Sequence, residues 1–450
     1  MASAADTIAA VATPPGRGAI AIVRISGGDA CSIARAVTGR QPIPRRATFC
    51  EFRAADGHPV DQGLVLYFPG PRSFTGEDIV ELHGHGGAIV SDSVLAAVLG
   101  QGARLAEPGE FTLRAFLHDK LDLTQAEAIA DLIDSGSQAA ARAALRSLVG
   151  QFSKQVQAVQ AGVTELRAQV EAWLDFPDED LERDDTERLA EKFDAVLARL
   201  AALMAQARQG AVLGSGLSVV IAGPPNAGKS SLLNRLAGYD AAIVTQYPGT
   251  TRDPLKEFIS LDGLPINLVD TAGLRESEDP VELEGMRRSH AAVRLADRLL
   301  WVIDVHTDLE STRAAIEQTL GGQSGLTIIQ NKVDLIAAEA AAFQVDGIPV
   351  VRMSALNGDG LGLLIEHLKS VAGYTGEGGG TISARTRHID ALGRAQLRIA
   401  AARKQLMDQR SLELAAEELR AAQSALGEVT GEVTSDDLLG EIFSSFCIGK

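Results

Sequence analysis

The segment GPPNAGKSS, from Gly223 to Ser231, has the residue types and spacing of a phosphate-binding loop. It matches the pattern G-x-x-x-x-G-K-S, follows an apolar run and precedes a helical stretch. In that context glycines let successive backbone N–H groups surround a phosphate chain at a helix N-terminus. Lys229 adds a positive charge, and the Ser230 hydroxyl can ligate Mg²⁺. The pattern alone could also be a chance glycine-rich turn.

Three further motifs follow: DTAG (270–273), NKVD (331–334) and SAL (354–356). DTAG offers a carboxylate for the metal ion and a glycine N–H for the γ-phosphate. The Asp334 carboxylate can accept both the N1–H and the exocyclic amine of guanine, a pairing that adenine does not offer, and SAL suits a backbone N–H to guanine O6. Their order and spacing predict GTP binding. The predicted GTP-binding residues are Asn226, Ala227, Gly228, Lys229, Ser230, Ser231, Thr245, Gln246, Tyr247, Pro248, Gly249, Thr250, Thr251, Asp270, Thr271, Ala272, Gly273, Asn331, Lys332, Asp334, Ser354 and Ala355.

The residues that would support hydrolysis are less ordinary. Leu274 stands directly after DTAG, where Ras-like enzymes place a glutamine that orients the attacking water. The segment TQYPGTTRD offers Thr251 as a second Mg²⁺ ligand and a group of carbonyls that suits a monovalent cation. Asn226 either adds one more cation ligand or only caps a turn. The stretch RESEDPVELEG supplies several carboxylates that could position water, and spacing does not select one of them.

Composition indicates a cytoplasmic protein without a membrane segment. The chain has 450 residues, a length typical of two to four domains, and no apolar run long enough to span a bilayer. Its N-terminus lacks the basic lead-in of a secretory signal. Cys31, Cys50 and Cys447 lack metal-ligand spacing, which favours a reducing compartment. The net charge of −17 argues against unspecific nucleic-acid binding over the whole surface, so any contact with a polyanion must be local.

Changes in sequence character predict four segments. Residues 1–118 mix strands and short helices, 119–212 are helical, 213–373 alternate apolar β-branched runs with helices, and 380–450 are helical again. Thr124 and Glu127 have the spacing of a capping box that opens a helix, and the glycines of GAVLGSG predict a linker near 210–216. The predicted fold class is multidomain α/β. An α+β N-terminal domain precedes a helical domain that is interrupted by an inserted Ras-like P-loop GTPase domain.

The motifs together resemble a known family. Asn226 within P-x-N-x-G-K-S, with GTTRD, DTAGLR and NKVD, is similar to the TrmE–Era–EngA branch of GTPases. Outside that domain, ATPPGRGAIAIVRISG, SFTGEDIVELHGHGG, EPGEFTLRAFLHDKLDLTQAEAIADLI and the terminal FCIGK resemble the MnmE (TrmE) family of tRNA modification GTPases. The likeness runs from about residue 5 to Lys450. SAL lacks the basic residue that often follows Ser-Ala, and Phe74 stands where tyrosine is common.

The resemblance implies a K⁺-activated GTPase that acts with the flavoprotein MnmG as a heterotetramer, FAD being held by that partner only. Together they would add an aminomethyl or carboxymethylaminomethyl group to C5 of the wobble uridine of certain tRNAs. It implies a homodimer formed by the N-terminal domain, which would hold 5-formyl- or methylene-tetrahydrofolate. The positions matching the folate contacts are Arg24, Glu81, Lys120 and Lys450. Those matching the K⁺ ligands are Asn226, Thr245, Tyr247 and Thr250, and the water-orienting residue matches Glu282.

Several of these positions also have plainer interpretations. Without the resemblance, Arg24 and Lys120 would be surface charges, Glu81 a strand-end carboxylate, and Glu282 one acid in an exposed acidic stretch. Cys447 is either part of the modification site or a helix-packing residue near a frayed terminus. The alternative function is an Era-like switch in ribosome assembly without covalent chemistry. The near-neutral N-terminal segment and the terminal CIGK make that alternative the weaker one.

Overall fold

The computed structural model describes residues 6–175, 183–239, 256–270, 296–320, 325–336, 338–374, 376, 381–408 and 411–449. The chain forms two compact units, Met1–Ala130 with Leu426–Lys450 and Asp131–Ala425. The predicted mixed α/β fold class is confirmed, since both units contain a sheet and helices. Within the described ranges, no helix has the length and apolarity needed to cross a bilayer. The four segment boundaries predicted from sequence stay predictions.

The elements are numbered in chain order. The strands are β1 (Ile8–Val11), β2 (Ile20–Ser26), β3 (Thr48–Arg53), β4 (Pro59–Phe68), β5 (Ile79–His85), β6 (Arg104–Leu105), β7 (Leu217–Ala222), β8 (Lys256–Leu261), β9 (Leu264–Asp270), β10 (Arg298–Asp304), β11 (Leu326–Asn331), β12 (Ala341–Val345) and β13 (Ile348–Arg352). The α-helices are α1 (Ala30–Thr38), α2 (Ala88–Leu99), α3 (Glu110–Leu117), α4 (Leu123–Ile133), α5 (Gln138–Leu148), α6 (Gln151–Asp175), α7 (Arg183–Ser215), α8 (Lys229–Ala237), α9 (Leu309–Leu320), α10 (Leu361–Val371), α11 (Thr386–Asp408), α12 (Leu412–Thr430) and α13 (Asp436–Ser444).

The first unit is built on a six-stranded sheet in the order β3-β4-β5-β2-β1-β6. Neighbouring strands are antiparallel except β1 and β6. Side chains alternate between the two faces of a strand, so Val23 and Ile25 of β2 enter the core formed with α1 and α2. Arg24 lies on the opposite face, where Phe111 of α3 packs against β1. This opposite face therefore carries polar side chains at its centre.

The second unit contains a seven-stranded sheet in the order β12-β13-β11-β10-β7-β9-β8. The five central strands are parallel, and β12 and β8 pair antiparallel at the two edges. The central strands have the continuous apolar runs expected of strands buried on both faces. The carboxyl ends of parallel strands meet at one edge of a sheet, and the predicted nucleotide motifs follow β7, β9, β11 and β13 there.

The predicted glycine linker near residues 210–216 is wrong. Helix α7 continues through Gly210 and Gly214 to Ser215, and only Gly216, with φ of +69°, leaves the helical conformation. A Cβ placed on Gly210 would lie 1.7 Å from the carbonyl oxygen of Ile382. Gly210 is therefore required by the close approach of a segment distant in sequence.

The predicted capping box at Thr124 is also wrong. Helix α4 begins at Leu123, so Thr124 lies inside the helix. Asp122 is the capping residue: its Oδ1 accepts from the backbone N–H of Gln125 at 3.0 Å, while Gln125 Oε1 accepts from the backbone N–H of Asp122 at 3.0 Å. This reciprocal pair satisfies backbone donors at the start of the helix, as a capping box does. It lies two residues before the predicted capping box.

A partly buried ionic cluster joins Asp6, just before β1, to β6 and α3 of the first unit. The Glu110 carboxylate, 2% exposed, accepts from Arg104 Nη2 at 2.6 Å and from Arg114 Nη2 at 3.0 Å. Asp6 accepts from the same two guanidinium groups. Burial raises the pKa of Glu110, but the hydrogen bond from Arg104 and its other donors outweigh burial and leave the pKa below its ordinary value. The ionised carboxylate therefore stabilises the fold.

We expect Glu110→Gln to lower the free energy of unfolding by about 3 kcal/mol, because it removes a buried carboxylate charge that pairs with Arg104 and with the buried Arg114. The folded-state pKa is lowered, so this contribution is full above the unfolded value near 4.5 and is lost as pH falls through the folded value. Hydrogen exchange of the β1 amides between pH 7 and pH 3 measures both effects. Glu51→Gln, which removes only an exposed pair with Arg53, is the control. Equal protection in the two variants would contradict the role of the cluster.

Candidate functional site

The loop between β7 and α8 has the geometry of a phosphate cradle. Gly223, Asn226 and Gly228 have φ values of +141°, +58° and +97°, so the backbone turns repeatedly through the left-handed region. A Cβ on Gly228 would lie 2.1 Å from Asn331 Nδ2, which makes glycine necessary there. The loop leads directly into α8, whose N-terminus favours negative charge.

Lys229 is the first residue of α8 and reaches back across this loop. Its Nζ donates to the carbonyl oxygens of Gly223 and Pro224, both at 2.8 Å. The ammonium is thereby held over the cradle, where a phosphate chain would lie. Ser230 and Ser231 follow on the exposed first turn of α8, and the Ser230 hydroxyl is a hard oxygen ligand that fits Mg²⁺.

Asn331, 3% exposed at the end of β11, connects three of the predicted motifs. Its Nδ2 donates to Ala227 O at 2.8 Å, and its Oδ1 accepts from Ala355 N at 2.9 Å. Asp334 is exposed, and its Oδ1 accepts from Ser354 Oγ at 2.5 Å. The phosphate loop, NKVD and SAL are thus joined through side chains, with the Asp334 carboxylate oriented at their edge. The N–H groups of Ser354 and Ala355 bond within the protein, so the predicted contact to guanine O6 stays a prediction.

Two contacts support this site that the sequence did not indicate. Lys332, in the left-handed region with φ of +71°, places its Nζ 2.8 Å from Asp304 Oδ2, and the hydrogen bond from Lys332 lowers the pKa of Asp304. Arg235 of α8 donates to the carbonyl oxygens of Ala355 and Leu356. A cavity of about 450 Å³ opens between α8 and this segment. Asp304 ends the apolar run of β10, a position that could have been recognised as a strand-end carboxylate.

On the polar face of the first unit, Arg24 and Glu81 form a pair across β2 and β5. Arg24 Nε donates to Glu81 Oε1 at 3.0 Å, and His83 Nε2 lies 3.1 Å from Glu81 Oε2. The guanidinium carbon of Arg24 lies 5.8 Å from the Phe74 ring and 5.7 Å from the Phe111 ring, within cation–π range. Arg24 and Glu81 are 24% and 15% exposed, so neither is a plain surface charge.

Lys120 contacts the loop that carries Phe74. Its Nζ donates to Pro71 O at 2.9 Å, and its side chain is exposed. Pro71 and Phe74 are three residues apart, at most about 11 Å in extended backbone. Three of the four predicted folate positions are therefore brought together around residues 70–78, within the span of an elongated ligand.

The C-terminal segment is anchored on the first unit. Phe446 is buried against Phe443, with ring centroids 5.4 Å apart, and Cys447 O accepts from Gly109 N at 3.4 Å. A Cβ on Gly449 would lie 2.3 Å from Val11 O, so the tail passes tightly along the end of β1. Cys447 is exposed and lines a cavity of about 850 Å³. Phe446 therefore does the packing, and the thiol remains accessible.

The sequence is similar to known proteins over its whole length. The family profile described as MnmE helical domain matches residues 123–447, and the one described as GTP-binding protein TrmE N-terminus matches residues 7–120. The tRNA modification GTPase MnmE of Nitrosococcus oceani is 55% identical over 446 residues, covering 99% of this chain and 97% of that protein. The chain belongs to the MnmE family of tRNA modification GTPases. This confirms the resemblance found in the sequence.

The chain is also similar to a second curated relative and, over part of its length, to solved structures. The MnmE of Alkalilimnicola ehrlichii is 53% identical, over 99% of this chain and all of that protein. Among solved structures, the G domain of the T. maritima FeoB iron transporter matches 35% of this chain and 98% of its own length, with 25% identity and a TM-score of 0.26. Membership in the MnmE family rests on the curated relatives and the family profiles.

Some predicted positions of this MnmE-family chain lie outside the described residues. Asp270 ends β9, and only its backbone is described. Predictions for the positions outside the described ranges therefore stay predictions. These are Thr245, Gln246, Tyr247, Pro248, Gly249, Thr250, Thr251, Thr271, Ala272, Gly273, Glu282 and Lys450.

Proposed function

We propose that this chain is a K⁺-activated GTPase that acts with the flavoprotein MnmG on tRNA. Together they add an aminomethyl or carboxymethylaminomethyl group to C5 of the wobble uridine, using a one-carbon unit from a tetrahydrofolate derivative. The observation that carries the proposal is the pairing of Arg24 with Glu81 beside Phe74 and Lys120, in a chain that also has a guanine-nucleotide site. A nucleotide switch alone would not need the site formed by Arg24 and Glu81.

In the nucleotide site, each residue has a separate role. Lys229 and the backbone N–H groups of the loop hold the phosphates, and Asp334 accepts from guanine. Ser230 and Thr251 would hold Mg²⁺, which neutralises charge on the phosphate oxygens when bound. Glu282 is proposed to orient the attacking water. The K⁺ ligands would be Asn226, Thr245, Tyr247 and Thr250.

Asn226 is the described member of the proposed K⁺ site. It is exposed, and its φ of +58° places it at a turn of the loop rather than in a helix or strand. An amide oxygen in this position suits a hard cation. A K⁺ ion supplies positive charge beside the phosphates when bound, in the manner of an arginine finger.

Exchanging Na⁺ for K⁺ is expected to raise kcat for GTP hydrolysis at least about tenfold, because charge at the phosphates lowers the barrier. Asn226→Ala is expected to flatten this difference by removing one ligand. Steady-state phosphate release at equal ionic strength measures both. Asn234→Ala, on the exposed side of α8, is the matched control. Equal rates of the unmodified protein in the two salts would remove the cation mechanism.

In the first unit, Glu81 would accept from pterin N–H groups, while Lys120 and the terminal Lys450 would meet the glutamate end of the folate. Arg24 would fix Glu81 between the two strands. The Glu81 carboxylate already accepts from Arg24 and His83, yet a carboxylate offers about four acceptor positions, so the donor set fits a pterin. The bound folate, as a 5-formyl or methylene form, would supply the one-carbon unit.

The remaining assignments follow from the MnmE family. The N-terminal domain would form a homodimer, and two MnmG flavoproteins would complete a heterotetramer in which FAD belongs to MnmG. We propose that the protein acts in the cytoplasm. The modification reaction would take place at Cys447 and the bound folate. The segments 1–118, 119–212, 213–373 and 380–450 are proposed as the folate-binding, helical, GTPase and second helical parts.

Titration calorimetry with 5-formyl-tetrahydrofolate tests the proposal directly. The purified protein is expected to bind it, and Glu81→Ala is expected to abolish the heat of binding while leaving GTP turnover intact. An Era-like ribosome-assembly switch predicts no heat with either protein. Absence of any folate binding by the unmodified chain would therefore overturn the folate-dependent activity and leave only a GTPase.

A further inference from the structure

We propose that Arg45 and Arg72, next to Lys120, form a subsite for the γ-linked glutamate chain of a polyglutamylated folate. This inference rests on the proposed folate function and extends it to the class of folate bound. Each γ-linked glutamate adds one α-carboxylate, so the preferred ligand is a short chain of regularly spaced negative charges.

Lys120 and Arg45 reach one short loop from separate segments, and the loop itself carries Arg72. Lys120 Nζ donates to the carbonyl oxygen of Pro71, and Arg45 Nη2 donates to the carbonyl oxygen of Arg72. Consecutive carbonyl groups belong to residues only about 3.8 Å apart at Cα, so the ammonium and the Arg45 guanidinium lie within reach of neighbouring carboxylates on one flexible tail. Arg72 extends its own exposed side chain from the same loop.

These cations are not neutralised by the protein. Within the described residues, neither Lys120, Arg45 nor Arg72 forms an ion pair with a carboxylate, whereas Arg24 and Arg114 on the same unit are both paired. Asp78, whose carboxylate is fixed at this loop, is engaged by Gly70 N and Tyr67 OH, each at 2.9 Å. In a chain of net charge −17, two unneutralised cations at consecutive carbonyls, with the exposed Arg72 on the same loop, give a local attraction for an anion.

The position of Arg45 and Arg72 beside the proposed folate site indicates which kind of anion they would bind. Lys120 is the residue proposed to meet the first glutamate, and Phe74, three residues from Pro71, contacts the Arg24 that holds Glu81. A folate bound at Glu81 and Lys120 would keep its further glutamates beside Arg45 and Arg72 at high effective concentration. Two exposed cations at the end of an anchored ligand favour a tethered tail over an RNA backbone, which needs a broader basic surface.

The experiment compares 5-formyl-tetrahydrofolate carrying one glutamate with the form carrying three, by titration calorimetry on the full chain. The three-glutamate form is expected to bind about tenfold more tightly, through two screened charge contacts. In R45A/R72A the ratio of the two affinities is expected to fall to about one. Raising the salt concentration should also shrink the ratio in the unmodified protein. Arg53→Ala, an exposed arginine paired with Glu51, is the matched control and should keep the tenfold ratio.

The possible results distinguish a failure of the glutamate-tail subsite from a failure of the proposed folate function. Absence of heat with either ligand would refute the folate function itself. Equal affinities of the unmodified protein for the two forms, with measurable binding, would overturn only the tail subsite. If R45A/R72A kept the ratio but weakened tRNA binding in a filter assay, the cations would belong to an RNA contact, and the tail subsite would be wrong. Far-UV circular dichroism of the variant verifies that it is folded.

Discussion

Asp334→Asn is expected to weaken GTP binding by a factor of about 10² to 10⁴. In the proposed function the Asp334 carboxylate accepts two hydrogen bonds from guanine, and bonds to a charged acceptor contribute about 1.5–3 kcal/mol each. Asparagine loses the charge and presents an amine where guanine also presents donors. Xanthine has a carbonyl at the position of the guanine amine, so the variant is expected to gain affinity for xanthosine triphosphate. Titration with fluorescent analogues of both nucleotides measures the exchange.

The structure supplies a clean control for this exchange. Asparagine can still accept from Ser354 Oγ, so the local contact between NKVD and SAL is retained. Asp346→Asn removes an exposed pair with Arg313 on a β-turn of the same sheet and should leave both affinities unchanged. Undiminished GTP affinity of the Asp334 variant would mean that guanine is not read at this carboxylate.

Cys447→Ser is expected to abolish modification of the wobble uridine while sparing GTP hydrolysis. The thiol is exposed at the 850 Å³ cavity, whereas Phe446 and the backbone of Cys447 and Gly449 hold the tail in place. Serine keeps the size of the side chain but is a far weaker nucleophile at neutral pH. Nucleoside analysis of tRNA from cells carrying the variant, together with phosphate release by the purified protein, measures both activities.

Cys31→Ser is the matched control for the loss of a thiol. Cys31 is half-buried on α1, and burial raises the pKa of its thiol, which makes it unreactive by comparison. Its replacement should leave tRNA modification unchanged. Normal tRNA modification in the Cys447 variant would mean that the terminal segment has only a packing role.

The sequence predicted the fold best where buried strands give continuous apolar runs. The apolar β-branched runs predicted within 213–373 correspond to the central strands β7, β9, β10, β11 and β13, because both faces of these strands are covered. The edge strands β8 and β12 were not identified. Strand β12 is half-buried, and its sequence AAFQV shows no such run.

The two wrong local predictions have nonlocal causes. Position 210 of the helix is a glycine because the backbone of Ile382 approaches it closely. The sequence around residue 210 gives no sign of that contact. At α4, both Asp122–Gln125 and Thr124–Glu127 fit a capping spacing. The helix begins at Leu123, which is fully buried against Ile442 and Phe446, so packing with the C-terminal helix favours the earlier start.

The candidate sites were predicted to different extents. The nucleotide motifs are contiguous in sequence, so their chemistry could be identified from order and spacing. The Arg24–Glu81 pair joins residues 57 positions apart through the register of β2 and β5, which the sequence does not display. His83 was missed, although the period of two along β5 places it on the same face as Glu81.

Nucleoside mass spectrometry of tRNA from cells that lack this gene tests the proposed tRNA modification most directly. In these cells the aminomethyl and carboxymethylaminomethyl groups at C5 of the wobble uridine are expected to disappear. They should return when the unmodified gene is restored, and should stay absent with the Glu81→Ala variant. Wobble uridines that keep these groups in the deletion strain would show that this protein is not required for the modification.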